Sequence, residues 1–98
     1  MLSETAIIEI NKILELCDSY YLNQLEINQL NQLGADPTST CDYYDTAQTT
    51  LTNRSKTDTS QNLALEMLLI FADNEGCAIT LEPAITPTVY IPVLGGSI

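Results

Sequence analysis

The chain has 98 residues and a mass of 10.8 kDa, so a single small domain spanning 1–98 is expected, since domains typically run to about 100–150 residues. Apolar residues make up 45% of it, an ordinary globular share, yet thirteen acids against Lys12, Arg54 and Lys56 leave a formal charge of -10. That balance repels a phosphate backbone and an anionic membrane surface, so no direct nucleic-acid or membrane partner is expected, and the lack of histidine removes Ser-His and Cys-His catalysis.

Residues 1–34 read as a helical block. Ala6, Ile10, Ile13, Cys17 and Tyr20, joined by Ile7, Leu14 and Tyr21, recur at intervals of three and four, the stripe of an amphipathic helix. Ser3 is the expected N-cap, with Glu4 and Glu9 toward the positive end of the helix dipole. An acid so close to Met1 is unlike the basic start of a secretory signal, and no export is expected. Beyond Tyr21 the stripe rotates, so that Ile27, Leu30 and Leu33 fall almost opposite the first set at roughly 100° per residue. Either the helix breaks within 18–26, or one long helix meets partners on two faces. Gly34, followed by Ala35-Asp36-Pro37, stops the block.

Residues 35–60 are rich in Thr, Ser, Asp and Asn and offer only Cys41, Tyr43, Tyr44, Ala47 and Leu51 for burial. They read as a long polar loop, a feature uncommon inside a compact domain unless something else orders it. Within 61–76, Leu63 to Ala72 is apolar nearly all round except for Glu66, which predicts a helix buried on most sides, capped by Ser60 and too short for the ~20 residues of a bilayer span. Asp73-Asn74-Glu75-Gly76 reads as the exit of that helix, because its spacing does not meet the glycine and glutamate positions of a calcium loop.

Over 77–98, Cys77, Ile79 and Leu81 and then Val89, Ile91 and Val93 alternate with polar or small residues, the period of strands. Pro83, Pro87 and Pro92 restrict them to a short β-hairpin or an extended arm, followed by a Gly95-Gly96 tail. The expected fold class is therefore α+β.

Asp42 and Asp45 flank Tyr43 and Tyr44; paired carboxylates can do acid-base work where burial raises one pKa, but an aromatic contact with a partner is the favoured reading. Cys17, Cys41 and Cys77 are odd in number and widely spaced, which reads as reduced thiols of an intracellular protein, with Cys17 and Cys77 in the core and Cys41 exposed. Neither a metal nor a cofactor is expected.

The function expected from the sequence is non-enzymatic: a structural or assembly subunit acting through protein-protein contacts, such as a capsid-stabilising or neck protein of a phage virion. It would form homo-oligomers or join other subunits through Tyr43, Tyr44, Val89, Tyr90, Ile91, Val93 and Leu94, in the cytoplasm or assembled into a virion. The alternative is an acidic regulator or inhibitor that occupies a basic groove of a nucleic-acid-binding protein, by nucleic-acid mimicry among other means.

Overall fold

The computed structural model describes residues 1–77, which form four helices: α1 (Glu4–Leu16), α2 (Gln24–Gln32), α3 (Thr40–Ser55) and α4 (Gln61–Asn74). Among the described residues there is no strand, so the α+β expectation is corrected to an all-helical fold. The hairpin or arm placed after Cys77, with Val89, Tyr90, Ile91, Val93 and Leu94, lies outside the described residues.

The larger correction concerns residues 35–60. Most of this polar stretch is α3, and α3 touches each of the other three helices. Its buried residues include Thr46, Gln48, Thr50, Thr52 and Ser55 beside Tyr44, Ala47 and Leu51. The hydroxyls do not need water, because each bonds a carbonyl of its own helix: Thr46 donates to the Asp42 carbonyl at 2.9 Å, Thr50 to that of Thr46 at 3.3 Å, Thr52 to that of Gln48 at 2.8 Å and Ser55 to that of Thr52 at 2.8 Å. A threonine whose hydroxyl is satisfied in this way can be buried without leaving an unpaired donor. Gln48, only 1% exposed, donates to the Thr52 hydroxyl at 2.9 Å.

The break within 18–26 resolves in favour of two helices. α1 is capped by Ser3 as expected, its hydroxyl accepting the Ala6 N–H at 3.1 Å. After Cys17 the chain turns at Asp18, whose φ of 53° is left-handed; the N–H of Asp18 bonds the Glu15 carbonyl and that of Ser19 the Leu14 carbonyl, the pair of bonds of a Schellman C-cap. Gly34 after α2 and Gly76 after α4 make the same arrangement. Three helices thus end by one device, with glycine at two of the left-handed positions.

α4 occupies the expected stretch, with Gln61, Ala64, Leu65, Leu68 and Ala72 facing inward. It is not buried on most sides, however: Leu63 is 65% and Ile70 60% exposed. Ser60 stands at its N-cap position without a side-chain cap bond. Its hydroxyl bonds Asp58 instead. The core joins Ile10 and Leu14 of α1, Leu30 of α2, Leu51 of α3 and Leu68 of α4.

Candidate protein-binding surface

The most connected polar group is Arg54, near the end of α3. Its Nε and one Nη bond the two carboxylate oxygens of Glu26 on α2, while the remaining N–H groups reach the Ser19 hydroxyl (2.7 Å) and the Tyr20 (2.6 Å) and Tyr21 (2.8 Å) carbonyls. All five guanidinium donors are therefore used. Glu26 serves twice, since it also closes the capping box of α2 by accepting the Asn23 N–H at 3.0 Å while Asn23 accepts that of Glu26 at 2.9 Å. Burial pushes the Glu26 carboxyl up, but the Arg54 and Asn23 hydrogen bonds outweigh it and hold the group below its ordinary value. The Tyr20 ring lies over the guanidinium, 5.8 Å from centroid to carbon. Further bonds, from the Ser19 hydroxyl to Gln61 (2.6 Å) and from the Leu22 N–H to Asn11 (2.7 Å), pin the linker between α1 and α2.

A hollow beside this clamp is lined by Tyr20, Tyr21, Glu26, Arg54, Asp58 and Gln61. Because Arg54 has no free donor, the hollow lacks the unengaged charge that would anchor a small anion. A second hollow places Asp36, Asp42 and Asp45 near Pro37 and Thr46. There Asp42 works as a cap, accepting the N–H (3.3 Å) and hydroxyl (3.1 Å) of Thr38, and these bonds lower its pKa. A general acid needs the opposite shift.

The residues singled out from the sequence are dispersed. Tyr44, 8% exposed, points into the core, whereas Tyr43 is half-buried beside it. Cys17 is buried, as expected, and desolvation pushes its thiol up to about 11, with the neighbouring Asp18 charge adding to the shift. Cys41 and Cys77 correct the reading of three reduced thiols: they form a disulfide with 5.4 Å between Cα atoms, tying the first turn of α3 to the residue after Gly76. Sequence spacing could not pair them, because the contact depends on α3 and α4 lying side by side.

Sequence reasoning missed the outer face of α4. Leu63 and Ile70 are exposed on the side away from Leu65, Leu68 and Ala72, with Met67 between them at intervals of four and three; Met67 and Phe71, both half-buried, also touch the core from one edge of this face. Glu66 and Asp73, one heptad apart and both exposed, run along the other edge. The signal was present in the sequence as an apolar run on all sides. It was read as burial on most sides. Among the described residues, no cluster of three or more histidine, cysteine or carboxylate side chains could hold a metal ion, and no helix is long and apolar enough to cross a membrane.

No protein-family model, curated protein or solved structure matches the chain.

Proposed function

We propose that this protein is a non-enzymatic assembly subunit that works by binding other proteins. The observation that carries this reading is α4, a helix apolar on both sides with only one side covered by the helices of the described residues. Single exposed apolar residues are ordinary, but a contiguous stripe on a regular helix is the form of a protein contact. The roles of the polar groups fit: Arg54 and Glu26 are spent on internal clamping, Asp42 on capping, and two of the cysteines on a disulfide. Ordering of a long loop by neighbours, part of the sequence-based case for assembly, no longer supports the reading, since α3 is packed into the core.

The disulfide favours a working place where thiols are not kept reduced, such as a virion or another extracytoplasmic setting, over the reducing cytoplasm. Native mass spectrometry of the protein drawn from its natural source, repeated at rising salt, tests the reading. A complex that persists near 1 M salt is expected, because apolar contacts are not screened. A monomer at every concentration overturns it, and a complex that dissolves at moderate salt points instead to an acidic regulator held in a basic groove.

A further inference from the structure

We infer that the outer face of α4 is the docking site for a basic amphipathic helix of another protein, a step that rests on the assembly reading and names the chemistry of the partner. The stripe of Leu63, Met67 and Ile70 has the spacing that receives a second helix, and the acids Glu66 and Asp73 along its edge give that helix a preferred flank. The charge inventory of the chain decides between occupants. Its three cationic side chains are all engaged elsewhere: Arg54 with Glu26, Lys12 with Glu9 and Lys56 with Asn53. Residues 78–98 contain no lysine or arginine and add Glu82, so this segment cannot supply the missing counter-charge. A second copy of this face offers Glu66 and Asp73 no cation, because α4 contains neither lysine nor arginine. A helix with an apolar stripe flanked by lysine or arginine satisfies both features. Affinity would then come from the apolar contact, and orientation from the charges.

The test uses the oxidised full chain and a synthetic helix of 18 residues with leucine along one stripe and lysine at its flanks, read by fluorescence anisotropy. Micromolar binding is expected, together with at least tenfold weaker binding of a glutamate-flanked peptide and of a lysine peptide of the same composition with its stripe scrambled. Ile70→Glu separates the proposal from plain charge attraction: it makes the protein more acidic, yet it should weaken binding tenfold or more, whereas an equal or stronger affinity overturns the proposal. Glu66→Lys combined with Asp73→Lys should reverse the preference toward the glutamate-flanked peptide, and an unchanged preference counts against the acidic flank. A homodimer in light scattering that Ile70→Glu dissociates would assign the face to a second copy, overturning this inference while leaving the assembly reading intact. An Ile70→Cys variant whose introduced thiol resists maleimide in a monomer would show the face covered by the chain itself, which overturns both.

Discussion

At the scale of single residues, Arg54 does what no other side chain here can, because a planar fork is needed to engage a carboxylate at two oxygens and two successive backbone carbonyls at once. Arg54→Ala leaves Glu26, whose side chain is 13% exposed, without its partner, and should destabilise the protein by about 2–4 kcal/mol in urea unfolding. Arg54→Lys should recover less than half of that, since an ammonium cannot reproduce the fork. The same pair sets a pH dependence. The carboxyl of Glu26 titrates below its ordinary 4.5 in the folded state, so its stabilisation is fully present above that pH and is lost as pH falls through the folded value. Thermal melts of Glu26→Gln, which keeps the capping geometry, should therefore fall less steeply than wild type on acidification below 4.5. Parallel curves would show that the ion pair contributes nothing. Glu26 and Arg54 are 28 positions apart, and no sequence pattern links them.

At the scale of elements, α3 shows how a polar sequence becomes the centre of a helical fold. Its hydroxyls are satisfied locally, so the expense of burying them is small, and α1 and α4 both pack against it. Thr50→Val should accordingly change stability by less than about 1 kcal/mol, since the Thr46 carbonyl keeps its main-chain partner, whereas Leu51→Ala in the same helix should lose about 2–5 kcal/mol through the cavity it opens. Equal losses in chemical denaturation would contradict this account. Part of α3 was legible after all: Tyr44, Ala47 and Leu51 recur at three and four, and Ser39 with Asp42 three residues later is a start signal. Composition outweighed that spacing in the reading. The α1 stripe as far as Cys17 and the glycine stops needed no such correction, because strong periodicity and a left-handed turn are local properties, whereas Tyr20 and Tyr21, counted in that stripe, lie beyond α1 and are exposed.

For the molecule as a whole, the disulfide is the largest single constraint, closing a loop with a sequence separation of 36. On the chain-entropy account a loop of that length is worth about 4 kcal/mol, which for a chain of this size corresponds to a fall in Tm of roughly 15 °C or more on reduction. Scanning calorimetry with and without reductant measures it, and the Cys41→Ser/Cys77→Ser double variant should melt near the reduced protein. Thiol titration in denaturant provides an independent count, with one thiol expected before reduction and three after. Three thiols before reduction would remove both the bond and the oxidising setting argued from it.

The amino-acid sequence by itself determined that a helical block starts after Ser3 and stops at Gly34, where α4 lies to within a few residues, that Ala6, Ile10, Ile13 and Leu14 face inward, and that the chain is strongly acidic. These depend on neighbours three and four positions away, on caps and on composition. Only the tertiary structure decided that a threonine-rich stretch is the central helix, that Arg54 locks α2 and the first linker to α3, that Cys41 meets Cys77, and which face of α4 the other three helices leave uncovered among the described residues. Each of those depends on which distant segments come to lie side by side, and periodicity along one segment holds no record of the neighbour it will meet.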